Sequence, residues 1–348
     1  MIDQRTNERI HFDPLIEILN HDQHEALKHK VIELYEKWRK KEVTIGFTGH
    51  FSAGKSSMIN ALLNETILPS SPIPTSANIV EIRSGEENVI YQMYDGTYTE
   101  DDEVNEERIQ QLSKNGEVVE SVHIYKPNAF IKNQITLMDT PGIDSSDDAE
   151  FDRTLSKVHL IDLFVYVMDY NHVLSEVNFR FLKELERRGV PYFVVINQID
   201  KHQEEELLFD SYKQRLRVSY GEWDLSPDEI FYTSLKNYDL PLNQFDSFKQ
   251  SLVKQMDALP NRLSQKINRE LSLIIEEWKS EATGNTGQEE LLNRLQLIEE
   301  QKRRLVETMD GYEQTLRDEL NNVVANAYLM TLETRELAKS IQESWKQN

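Results

Sequence analysis

The sequence predicts an α/β protein in which a mostly parallel, extended central sheet carries a phosphate-binding loop and is inserted into an α-helical bundle. Three observations carry that expectation. The runs VTIGFT (43–48), QITLMD (134–139), DLFVYVMD (162–169) and PYFVVIN (191–197) are short, β-branched and continuously apolar, and amphipathic stretches separate them. Strands that are apolar on both faces belong to a parallel sheet covered by helices on both sides. Gly49 to Ser56 match G-x-x-x-x-G-K-S between the first of these strands and the helix-like SSMINALL. Both ends of the chain carry apolar residues at helical spacing.

Taken in order, residues 1–42 read as helical, with Leu27, Val31, Leu34, Tyr35 and Trp38 forming one apolar stripe among charged neighbours. Residues 43–245 form the sheet domain. Between the first two long strands, NIVEIR (78–83), NVIYQMY (88–94) and VVESVHIY (118–125), with the turn pair Asp95-Gly96, predict an antiparallel extension of the sheet. Residues 246–348 turn helical again. Leu252, Met256, Leu259, Leu263, Ile267, Leu271, Ile274 and Trp278 form one series, interrupted at Pro260, and Leu291 through Met330 form a second, close to a heptad seam. The turn-rich ATGNTG (282–287) separates them. An uninterrupted helix from 289 to about 341 would be on the order of 75 Å long, a lever or stalk.

The chain has 348 residues, enough for one large domain and a substantial accessory region. Its 39 Lys and Arg against 61 Asp and Glu leave a net charge of −22, which opposes binding to nucleic acid or anionic lipid through bulk electrostatics. Zero cysteines exclude disulfides, thiol catalysis and cysteine-ligated metal. No apolar run is long enough to span a bilayer, and the start MIDQRTNERI lacks the apolar core of a signal peptide, so the expectation is a cytoplasmic protein.

The loop 49–56 is the decisive feature. Backbone N–H groups of Gly49, His50, Phe51, Ser52, Ala53 and Gly54 can converge on phosphate oxygens, and the following helix N-terminus adds its positive dipole end. Lys55 supplies a charge toward the β- and γ-phosphates, and the Ser56 hydroxyl can bind Mg²⁺. Asn197-Gln198-Ile199-Asp200 follows a buried strand. There Asp200 can accept two hydrogen bonds from guanine N1–H and its amino group, a donor pair adenine lacks. Ser234-Leu235-Lys236, after the strand IFYT, can add a backbone N–H toward guanine O6. Asp139-Thr140-Pro141-Gly142 closes another strand, where an aspartate linked to Mg²⁺ and a γ-phosphate-sensing glycine belong. Thr75, in the loop PSSPIPTSAN, can offer its hydroxyl to Mg²⁺ and its backbone to the γ-phosphate or the attacking water.

With these in order, the chain resembles the dynamin superfamily of large GTPases, and most of all the bacterial dynamin-like proteins. Their phosphate loops also read like Gly49-His50-Phe51-Ser52-Ala53-Gly54-Lys55-Ser56-Ser57, and their first switch holds a Pro-rich segment ending in threonine, here Pro72-Ile73-Pro74-Thr75. The resemblance is specific over roughly 43–245 and architectural in the flanking helices, which it makes a neck. It implies hydrolysis of GTP to GDP with Mg²⁺ held by Ser56, Thr75 and Asp139, low nucleotide affinity, a homodimer formed across the nucleotide faces, and membrane remodelling or fusion through motion between head and neck. It further implies a charge-compensating monovalent cation near Ser52. Two departures stand out. Phe51 replaces the glutamine that orients the attacking water in fission dynamins, and Gln198 replaces the lysine of the guanine motif, leaving only its aliphatic part to cover the base.

A second reading is a nucleotide-gated assembly protein with incidental turnover. A ribosome-assembly GTPase is disfavoured by the charge and the acidic C-terminal helices. No isolated apolar loop or basic cluster stands out from 246 to 348, so membrane contact is expected through regions outside this chain or through a partner.

Overall fold

The computed structural model describes residues 24–69, 78–113, 118–132, 134–143, 154–205 and 207–282, with isolated positions 300, 303, 307 and 311. The heptad-like series from Leu291 to Met330, the loop 283–287 and residues 1–23 lie outside the described residues.

Among the described residues a nine-stranded sheet runs β4-β3-β5-β2-β6-β1-β7-β8-β9. Its strands are β1 (Val43–Gly49), β2 (Ile79–Arg83), β3 (Asn88–Met93), β4 (Tyr98–Asp101), β5 (Val119–Tyr125), β6 (Ile135–Asp139), β7 (Leu163–Asp169), β8 (Tyr192–Asn197) and β9 (Glu229–Tyr232). From β6 to β9 every pairing is parallel, with Phe47 opposite Asp139 and Asp169 opposite Asn197. That register brings the carboxyl ends of five strands to one edge, where loops carrying binding groups collect. The three strand-like pieces between Asn78 and Tyr125 do extend the sheet. Their pairing is mixed, however: β2 is antiparallel to β6 and β3 to both β4 and β5, but β2 and β5 are parallel.

The helices are α1 (Glu25–Lys40), α2 (Lys55–Leu63), α3 (Glu106–Ser113), α4 (Glu176–Arg188), α5 (Phe209–Glu222), α6 (Phe245–Ala258) and α7 (Leu263–Ala282). Alternation along the strands divides the core into two layers. Val43, Ile45, Phe47, Leu137, Val165 and Val195 face a layer closed by Met58, Ile59, Leu62, Phe248, Leu252 and Met256. Met138, Phe164, Tyr166, Val194 and Ile196 face the other, closed by Phe179, Leu182, Leu185, Tyr212 and Leu216. This two-sided cover is what continuously apolar strands require.

The chain divides into two compact units. Glu33–Lys266 holds the sheet and its covering helices. The other unit contains, among described residues, 24–32, 267–282 and the isolated positions 300, 303, 307 and 311; in it Leu27, Val31, Leu271, Ile274 and Trp278 are buried and Lys30 Nζ pairs with Glu277 Oε2 at 2.8 Å. Residues from both flanks of the sheet domain thus share one helical unit. The whole first C-terminal series, Leu252 to Trp278, is buried. Pro260 sits in a 3-10 turn, Leu259–Arg262, whose flanking residues stay in the right-handed helical region. There its missing N–H costs little.

Candidate functional site

β1 ends in a loop whose two glycines are dictated by close approach. Gly49 has φ +137, and a Cβ there would lie 2.0 Å from the Val167 carbonyl oxygen on β7; Gly54 has φ +93, and a Cβ there would lie 2.7 Å from Asn197 Nδ2. Between them Phe51–Ala53 form a 3-10 turn, with Ala53 N–H donating to the His50 carbonyl at 3.2 Å. Helix α2 begins at Lys55 with no side-chain cap, so the amides of its first turn face the loop and form a ready anion site. Lys55 is buried, and its Nζ donates to the Gly49 and His50 carbonyls at 3.1 Å each. Ser52 is exposed, while His50, Phe51, Ser56 and Ser57 are half-buried.

Asp139 closes β6 beside this loop. Its Oδ2 accepts from Ser56 Oγ at 2.6 Å, while its Oδ1, also buried, has no hydrogen-bond partner. Burial pushes the carboxyl up from its ordinary range, against the pull of the Lys55 charge and the Ser56 hydrogen bond. A buried carboxylate oxygen without a donor, next to a hydroxyl, is a donor set that a hard divalent cation satisfies, so Ser56 and Asp139 fit Mg²⁺. Thr75, with the rest of 70–77, lies outside the described residues. Gly142 is buried against the loop, where a Cβ would come within 2.9 Å of Phe51 Cα, and Ile143 N–H donates to the Gly49 carbonyl at 3.2 Å.

The N-Q-I-D segment is tied directly to the loop 49–54. Asn197 Nδ2 donates to the Ala53 carbonyl at 3.0 Å, and its Oδ1 accepts from Thr233 Oγ1 at 3.3 Å. Gln198 stands in the left-handed region at φ +66, a conformation that costs a non-glycine residue energy, and its Nε2 donates to the Ser52 carbonyl at 2.8 Å. The Gln198 amide is thus used on the loop. Asp200 Oδ1 accepts from Ser234 Oγ at 2.7 Å, which joins the aspartate to the segment Ser234-Leu235-Lys236 after β9. Ile199 N–H to the Thr233 carbonyl, at 3.1 Å, is a second link between these two loops.

One residue of this assembly escapes sequence reasoning. Asn243 Nδ2 donates to the carbonyls of Ser234 and Asn237, and its Oδ1 accepts from the Ser234 and Phe245 amides, so one side chain shapes the 234–237 loop and starts α6. An Asn in a polar loop gives no periodic signal. The Pro241-Leu-Asn-Gln turn that carries it is its only local mark.

Residues 45–199 match the family model described as the Dynamin family. Over an alignment covering 99% of this chain, the sequence is 36% identical to Dynamin-like protein A of Bacillus subtilis. It is 26% identical, over 55% of its length, to Dynamin-like protein 1 of Campylobacter jejuni. The chain spans 30% and 33% of the lengths of those two proteins. A solved chain from an oligomerised bacterial dynamin pair, described in connection with long-range sensing and tethering of membranes, superposes with TM-score 0.55 at 18% identity, covering 81% of this chain and 45% of that one. This last likeness is one of fold alone.

Proposed function

Because the chain belongs to the dynamin superfamily of GTPases, on its bacterial side, we propose that it binds GTP at the 49–57 loop and hydrolyses it to GDP and phosphate. The observation that carries this reading is the pair of hydrogen bonds from Asn197 and Gln198 to the carbonyls of Ala53 and Ser52: guanine reader and phosphate cradle are one bonded unit. The loop amides and Lys55 hold the phosphates, Asp200 selects the base, and the Ser234-Leu235-Lys236 segment adds its backbone. Ser56 and Asp139, with Thr75 completing the set, hold Mg²⁺, which when bound neutralises charge on the β- and γ-phosphates. Thr75 and Gly142 sense the γ-phosphate, and Ser52 helps to position a charge-compensating monovalent cation.

In this reading 43–245, with the flanking 33–42 and 246–266 that share its compact unit, is the GTPase head, and 1–32 with 267–348 the neck. GTP orders the switches, two heads pair across their nucleotide faces, and the resulting head–neck motion serves membrane remodelling or fusion. The protein is cytoplasmic and reaches the membrane peripherally, through regions outside this chain or a partner. Among the described residues no helix is long and apolar enough to cross a membrane. A second reading, GTP-gated assembly with incidental turnover, is favoured by Phe51, which offers no polar side chain to orient water.

Nucleotide competition tests the base assignment: GTP and GDP bind, ATP does not compete, and Asp200→Asn moves preference toward xanthine nucleotides. Equal competition by ATP would remove the guanine assignment. Turnover that rises steeply with protein concentration selects the hydrolytic reading, whereas GTP-dependent dimers with negligible turnover select the assembly one.

A further inference from the structure

The loop after β7 holds an arrangement that the nucleotide site does not account for. His172 is exposed, with 59% of its side chain accessible, yet it is firmly placed. Its Nδ1 lies 2.6 Å from Oδ2 of the buried Asp169, and the other Asp169 oxygen accepts from the Asn171 amide at 3.0 Å, which fixes the carboxylate. From the other side, the His172 carbonyl accepts from Nδ2 of buried Asn178 at 2.7 Å, and Asn178 Oδ1 accepts from the Tyr166 hydroxyl at 2.8 Å. The imidazole so held lies parallel to the imidazole of His50, with centroids 5.4 Å apart and planes 3° from each other.

His50 is the hinge of the phosphate loop. Its carbonyl accepts both the Ala53 amide that closes the 3-10 turn and the Lys55 ammonium. A rotation of residue 50 would therefore disturb the turn and the cation together.

We propose that His172, oriented by Asp169, is a positioning residue for the nucleotide site: it acts through the His50 ring to hold the first turn of the phosphate loop in its phosphate-binding shape. The proposal rests on the reading of 49–57 as that site. Because stacking and not proton transfer does the work, a flat ring of another chemistry can substitute. Because His172 works through His50, the two contributions are not additive.

The test titrates the full chain with a fluorescent GDP analogue and measures GTP turnover for wild type, His172→Ala, His172→Phe, His50→Ala and the His50→Ala/His172→Ala double variant, with Lys55→Ala as reference. An aromatic pair contributes enough for a weakening of about 3- to 10-fold. His172→Ala should lose GDP affinity by that factor and raise KM in proportion with kcat little changed. His172→Phe should return within about 2-fold of wild type, and His172→Ala should add nothing in the His50→Ala background. Wild-type affinity in His172→Ala, no rescue by His172→Phe, or fully additive effects would overturn the proposal. If wild type binds the analogue and Lys55→Ala does not, any of those failures leaves the nucleotide site standing. If wild type does not bind it at all, both fall.

Discussion

Two buried aspartates stand at opposite ends of the central sheet. Asp162, just before β7, accepts from Lys37 Nζ at 2.5 Å and from the Thr44 amide at 2.7 Å, and its own amide donates back to the Thr44 carbonyl at 2.8 Å. Lys37 also reaches Thr44 Oγ1 at 3.3 Å, and the side chains of the ion pair are each 4% exposed. Asp139, at the carboxyl edge, has only the Ser56 hydroxyl on one oxygen and no partner on the other. The residue type and the depth are the same, but one carboxylate is bonded directly to a cation, whereas the other has an oxygen without a hydrogen-bond partner. A buried charge matched within the chain is architecture, tying α1 to β1 and β7, whereas one left open at a sheet's carboxyl edge is a place for a ligand.

The comparison breaks most visibly at the balanced end. Lys37→Met keeps the volume and removes the cation, which leaves Asp162 buried and short of its partner; a loss of about 3–5 kcal/mol in urea denaturation of the full chain is expected. A loss within experimental error would mean the pair does not hold α1. At the open end the signs reverse. Burial raises the Asp139 pKa, so its ionised form costs stability at neutral pH, and that cost disappears only below the unfolded carboxylate range. Asp139→Asn should therefore be at least as stable as wild type. Its Mg²⁺-dependent GTP turnover should fall at least ~1,000-fold, a barrier increase of about 4 kcal/mol. If it unfolds as readily as Lys37→Met, Asp139 is architecture too.

Acid sharpens the contrast further. Glu33 on α1 pairs with Lys157 Nζ at 2.5 Å and with His159 Nε2 at 2.7 Å. Burial alone would raise its pKa, but the His159 hydrogen bond and charge, with Lys157, outweigh it and hold the carboxyl at about 2, against an ordinary 4.5. A depressed carboxylate contributes stability that is whole above the unfolded value and is lost as pH falls through the folded one. On the order of 3 kcal/mol should thus drain away between pH 4.5 and 2. Glu33→Gln should flatten part of that slope. Glu81, also held at about 2, where burial is outweighed by His123 and Arg83, contributes to the rest. An unchanged slope in Glu33→Gln would contradict the pairing.

The same contrast explains what could be read in the sequence. The apolar runs beginning at 43, 134, 162 and 191 coincide with β1, β6, β7 and β8 to within a residue or two, because a strand buried on both faces has no choice but to be continuously apolar. The two glycines of the loop 49–54 were equally legible, since Gly49 and Gly54 sit where a Cβ cannot. The parallel pairing of β2 with β5 was not, because alternation marks a strand's faces and leaves its neighbours open. Nor were Lys37 and Asp162, 125 positions apart, or Asn178 and Asn243, whose partners follow from the fold and leave no local pattern.

Asn243 supplies the finest probe of the open end, because it touches the site only through the loop it shapes. Asn243→Ala removes two donors to the Ser234 and Asn237 carbonyls and the acceptor for the Ser234 and Phe245 amides. Water can reach some of these groups at a half-buried position, so the stability cost should be modest, about 1 kcal/mol. The loop's effect on the base should be larger than that figure suggests, since Ser234 also bonds Asp200. A drop in GDP affinity of about 10-fold, or ~1.4 kcal/mol, is expected, and it should be specific to the base. A base-free ligand such as pyrophosphate, held by the phosphate loop alone, should bind Asn243→Ala as it binds wild type. Asn243→Asp, which keeps the acceptor and loses the donors, should fall between the two. Equal weakening of GDP and pyrophosphate would mean that Asn243 acts on the whole domain and that guanine loop and phosphate cradle cannot be perturbed separately.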